Sequence, residues 1–186
     1  MEKQKLQSRE KHLANQLFDQ LTQTGYEPTR TSVEESGLYD VVTVELDGIG
    51  IGGDYALCHM FFLPSMEDDM PVHNFSVTMN ITDTIEGDDR KISVMQAITY
   101  LNFIVPIGAF VLDPELNVLS YRRNTAIPVD LSEEETLGLM GREFFNSTAT
   151  ITPFISALVC LRNGEIELPE FAEAIRLVLD AKKPEA

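Results

Sequence analysis

Positive charge is scarce in this chain. Over 186 residues, 14 Lys and Arg face 30 Asp and Glu, giving a formal net charge of −16 and a pI near 4.4. Nucleic-acid binding draws on clustered cations that displace counterions, and adsorption to an anionic membrane draws on the same groups, so both partners are excluded. Long apolar runs are missing too. None approaches the roughly 18 residues of a membrane span, and the opening Met1-Glu2-Lys3-Gln4-Lys5 has no apolar signal core. Cysteine is limited to Cys58 and Cys160, each inside an apolar run, which reads as two buried small hydrophobes. Together these absences lead us to expect a soluble, reduced, cytoplasmic protein.

Histidine occurs only as His12, His59 and His73. Nucleophilic catalysis needs a Ser or Cys beside a base and an orienting carboxylate, and no nucleophile-elbow motif marks one. We expect no enzyme, no cofactor and no resident metal. As metal ligands, Cys58, His59 and His73 lack C-x-x-C or H-x-x-x-H spacing. Cys58 and His59 are also adjacent, so on a strand they face opposite sides. His59 is expected among apolar neighbours with one hydrogen bond, and His12 on the solvent side of a helix.

What is present is a core. Apolar residues make up 44 % of the chain, a normal globular share, and one domain over 1–186 is expected. The charge is uneven: residues 1–26 are net +1, 27–89 are net −13 and 90–186 are net −4. Leu13, Leu17 and Leu21 recur every fourth residue and predict a helix over 4–24, ended by Gly25. Residues 27–36 are polar and read as a connection. Val42, Val44 and Leu46 alternate with polar residues and predict a strand over 38–47. Residues 54–63 are apolar on both parities, as in a central strand covered on both sides. Phe75, Val77, Met79 and Ile81 alternate through 73–82. The joints between these three segments suit an antiparallel meander.

A helix over about 89–105 carries Val94, Ile98, Leu101 and Val105 on one side, with Asp88 or Asp89 as its cap and Pro106 as its stop. A hairpin follows, 107–112 with 118–123, across a turn-forming stretch. Ser132 and Glu135 form a capping box. Further helices run over about 150–162, closed by Asn163-Gly164, and from Pro169 onward. The fold class is α+β: a three-strand meander plus a hairpin, antiparallel, packed against helices.

Two motifs invite a ligand. Gly48-Ile49-Gly50-Ile51-Gly52-Gly53 matches G-x-G-x-x-G, but a dinucleotide site needs a helix after that loop, and a strand follows here. A hairpin turn explains the glycines better. Glu67, Asp68 and Asp69, and separately Asp83, Glu86, Asp88 and Asp89, offer carboxylates to calcium or magnesium. Neither set has the alternating ligand pattern of a calcium loop, and solvated loops are expected.

The second half has a familiar pattern. A helix ends in Leu101-Asn102, a strand ends in Leu112-Asp113, and after a turn a strand ends in Tyr121-Arg122, with Phe154, Leu158 and Leu161 downstream. This resembles the YbjN family, which is similar in fold to the class I type III secretion chaperones of bacteria. The resemblance covers 90–162 by motif and the first half by element order. It implies a homodimer that binds a segment of an unidentified protein partner in a chaperone-like or regulatory role. It places Val94, Ile98, Leu101, Phe110, Leu112, Val118 and Tyr121 in the dimer interface. Two features depart from the family pattern: residues 163–186 form a C-terminal helical extension, and the charge of 27–89 makes Glu67, Asp68 and Asp69 a partner-facing acidic loop. The alternative is a small-molecule or divalent-cation sensing domain built on the acidic loops.

Overall fold

Leu13, Leu17 and Leu21 do form one buried stripe, on helix α1 (Glu2–Gln23). The Tyr26 N–H reaches back to the Leu21 carbonyl at 3.1 Å beyond Gly25 and closes that helix. The computed structural model describes residues 2–31, 40–64, 72–81 and 84–181, with side chains from Gln4 onward. The remaining elements are β1 (Thr29–Thr31), β2 (Val41–Ile49), β3 (Asp54–Leu63), β4 (Val72–Asn80), α2 (Asp88–Ile104), β5 (Ala109–Leu112), β6 (Leu119–Pro128), α3 (Glu133–Ile151), α4 (Ile155–Asn163) and α5 (Leu168–Ala181). The strands form a six-stranded antiparallel sheet in the order β1-β2-β3-β4-β6-β5, and the class is α+β.

Several elements differ from the sequence expectation, β1, β3 and α2 among them. β1 lies where a connection is expected; its three residues are exposed and pair with β2, Arg30 opposite Val42. An edge strand is held by main-chain bonds, so its polar side chains leave no hydropathy signal. β3 buries Ala56, Cys58, Met60 and Phe62, but its other face is only half-covered and Tyr55 is exposed. At α2 the cap is Gly87, with no side-chain bond, and Asp88 and Asp89 stand in the first turn. There they oppose the positive end of the helix without capping it.

The chain packs as two compact units: Met1–Glu45 with Leu57–Met79 and Arg122–Ser147, and Leu46–Ala56 with Asn80–Tyr121 and Thr148–Ala186. The first unit buries the α1 stripe, Val42 and Val44, Cys58, Met60 and Phe62 of β3, Phe75, Val77 and Met79 of β4, and Met140 and Phe144 of α3. Phe62 and Phe75 stack tilted at 5.5 Å, and Tyr26 meets Phe144 edge-on at 5.3 Å. Two buried polar pairs lie in this core. His73 Nδ1 donates to Glu10 Oε1 at 3.0 Å, while Arg123 is ion-paired with Glu143, whose Oε2 also accepts the Thr125 hydroxyl at 2.9 Å. Arg9 donates to the carbonyls of Val129 and Leu131 and fixes the chain just before α3. The capping box is present: the Glu135 N–H reaches Ser132 Oγ at 3.2 Å, and the Ser132 N–H reaches Glu135 Oε2 at 2.9 Å.

In the second unit α2 packs on α4, α5 and β5, and α4 packs on α5. Its core holds Val94, Ala97, Ile98 and Leu101 of α2, Phe110, Tyr121, Phe154, Leu158, Leu161, Phe171 and Ile175. Phe110 sits edge-on to Tyr121 at 5.4 Å and to Phe154 at 6.3 Å. Tyr121 is fully buried and its hydroxyl donates to the Ile107 carbonyl at 2.7 Å. That contact runs beside Gly108, which has φ +77 and no room for a Cβ against the Tyr121 hydroxyl.

Gly53 also has positive φ, but a Cβ there meets nothing within 4 Å. Gly53→Ala is therefore expected to cost about 1–2 kcal/mol of backbone strain. Gly108→Ala adds a collision with a locked ring and is expected to cost at least about 3 kcal/mol in denaturant titrations.

Candidate functional site

Helix α2 is apolar on two opposite sides. At 100° per residue, Val94, Ala97, Ile98 and Leu101 share one side and are buried. Ile92, Met95, Gln96, Thr99, Tyr100 and Phe103 share the other, and all six are exposed. Of these Ile92 is 54 % exposed, Met95 56 %, Tyr100 40 % and Phe103 94 %. A solvent-facing helix side normally carries charge, and beyond the first turn this one carries large apolar side chains with only the uncharged polar residues Gln96 and Thr99 among them. Ile107, just beyond α2, and Leu177 on α5 are also exposed. Of the large apolar side chains exposed among the described residues, all but Phe145 belong to the second unit. From Ile92 to Leu112 the sequence has no charged residue, in a chain where 24 % of residues are charged. The outward face of α2 is thus an apolar, uncharged surface on a strongly acidic molecule.

The seven residues expected in a dimer interface lie off this outward face of α2. Val94, Ile98, Leu101, Phe110 and Tyr121 are buried within their own unit, and Leu112 and Val118 are half-buried. The apolar spacing marks the core side of α2, because a helix stripe that covers a sheet reads the same as one that covers a partner. Glu67, Asp68, Asp69 and Asp83 lie outside the described residues.

The sequence pattern behind the resemblance has local causes. The Asn102 side chain holds Phe110 by two bonds: its Nδ2 donates to the Phe110 carbonyl at 2.9 Å, and its Oδ1 accepts the Phe110 N–H at 2.7 Å. Asp113 Oδ1 accepts the N–H groups of Glu115 and Leu116, both at 2.9 Å, and builds the turn before β6. Tyr121 clamps the Ile107 carbonyl. These three residues set the course of α2-β5-β6.

The glycine motif is a turn between β2 and β3, as expected, and it packs on α4. The Gly52 N–H donates to Ser156 Oγ at 2.9 Å, and the Ser156 hydroxyl donates to Asp54. A Cβ on Gly50 would overlap Ile155 and Ser156. The main-chain approach to α4 accounts for the small residues, with no phosphate required. Ile51, at the tip, is 92 % exposed.

No group of three metal-ligating side chains converges among the described residues. His59 is half-buried, bonded to Thr43 Oγ1 at 3.0 Å, and burial holds its imidazole below the ordinary value. His73 is fully buried, and its Nε2 has no hydrogen-bond partner. His12 is exposed, 3.4 Å from Glu133. Cys58 is buried and its thiol is pushed up by desolvation. Cys160 is only half-buried; desolvation and its bond to Glu165 push it up as well. No single described helix is long and apolar enough to cross a membrane.

His59 has a pH consequence. Its folded form resists protonation, so the unfolded chain binds the proton better. The corresponding stability is complete above the ordinary value of 6.5 and lost as pH falls through the lower, folded value. His59→Gln is expected to flatten that part of the acid titration, measured by denaturation midpoints across pH.

No family model, no curated protein and no solved structure matches this chain.

Proposed function

We propose that the protein is a non-catalytic interaction module of YbjN-like, secretion-chaperone-like type that works as a homodimer and presents a segment-binding surface to a partner protein. The single observation that supports this reading is the outward face of α2. Its four large side chains are apolar and exposed, and Phe103, which is 94 % exposed, alone contributes about 1.5–3 kcal/mol when taken fully out of water. Covering them favours association, because contiguous exposed apolar patches on folded proteins mark interaction sites. The absence of charge points to a second copy as the occupant of this face. Two molecules of net charge −16 repel at most orientations, and an uncharged face is where they approach at least cost. The sheet and the acidic loops then remain for a partner segment.

Size-exclusion chromatography with light scattering tests the dimer. The wild-type chain is expected at twice the mass of 20.8 kDa. Phe103→Glu should shift it to the monomer by weakening association about a hundredfold, a loss of roughly 3 kcal/mol. Because Phe103 is 94 % exposed, the fold of the variant should be intact, with an unchanged circular-dichroism spectrum. A wild-type chain that stays monomeric at high concentration overturns the reading.

A further inference from the structure

β5 is a sheet edge that packs against α2, and Asn102 near the end of that helix meets the side where another strand would pair. The Asp113 N–H bonds the Val118 carbonyl at 3.0 Å, toward β6. Main-chain groups alternate along an antiparallel strand, so Val111 and Ala109 also face β6, while Phe110 and Leu112 face outward. The outward N–H and carbonyl of Phe110 are the pair that the Asn102 side chain occupies, at 2.7 and 2.9 Å. The amide reproduces the donor and acceptor of a neighbouring strand. Folded proteins usually protect such edges with charged side chains, Lys above all, or with proline. Here β5 lies inside the uncharged stretch from Ile92 to Leu112, so no charge guards it.

We propose that Asn102 is an edge block: it fills the pairing position of Phe110 and keeps β5 from accepting the β5 strand of a second copy. The committed occupant of the unblocked edge is that second β5. The strand is apolar and uncharged and can pair with itself antiparallel, whereas β1 at the opposite edge of the sheet is polar and carries Arg30. The consequence is that copies meet through the α2 face and not by sheet continuation. The proposal goes beyond the dimer reading and stands whether or not the wild-type chain dimerises.

The test places Asn102→Ala in the Phe103→Glu background, where the α2 face is disabled. N102A/F103E should at least double its weight-average mass as concentration rises, with a gain in intermolecular β-sheet signal by infrared spectroscopy. F103E alone should stay monomeric. V94A/F103E, which loses stability through a core cavity but keeps the block, should stay monomeric too. N102D/F103E keeps the acceptor for the Phe110 N–H and adds a charge to the edge, so it should not associate. A monomeric N102A/F103E overturns the proposal. So does equal association of V94A/F103E at matched melting temperature, since loosened packing would then be the cause. Failure of the dimer reading appears separately, in the wild-type mass.

Discussion

The first unit depends on one buried carboxylate. Glu143 on α3 is 3 % exposed and meets both the Arg123 guanidinium and the Thr125 hydroxyl of β6. A charge left alone at that depth is strongly destabilising, by about 3–5 kcal/mol when its partner is removed. The inward row of β6 therefore tolerates Arg and Thr between Tyr121 and Ile127 only because α3 brings Glu143 to them. Glu10 and His73 repeat the arrangement between α1 and β4. The pairs fix which helix turn lies over which strand residue, a registry that apolar contact alone leaves looser.

These pairs also mark where the sequence was hard to read. The helix α1 shows in Leu13, Leu17 and Leu21, and β4 shows in Phe75, Val77 and Met79, because period and burial agree there. β6 continues to Pro128, five residues past the expected end at Arg123. Beyond Arg123, Asn124 and Thr125 give no hydropathy signal for a strand, since the inward polar residues are satisfied by a side chain 18 or more positions away. β1 is invisible for a related reason: a polar edge strand is made by its neighbour.

The candidate surface shows a different limit. The residues of α2 with core spacing were easy to find, and they drew attention from Ile92, Met95 and Phe103 on the opposite side. What would have pointed there is not a stripe but a missing polar face, since a helix bordered by water on one side ordinarily carries charge on it. Asn102 was seen as part of a pattern, while its task at Phe110 depends on the chain doubling back after Pro106, which no local signal specifies.

The two thiols lead to one more conclusion. Cys58 is sealed in the core, Cys160 gives its proton to a bond with Glu165, and both are held in the neutral form by their surroundings. The thiolate is the species that oxidants and disulfides attack or exchange with. No crosslink stabilises the fold, and neither sulfur is poised to make one. The architecture therefore has no disulfide to lose by reduction: its stability does not rest on a crosslink between Cys58 and Cys160.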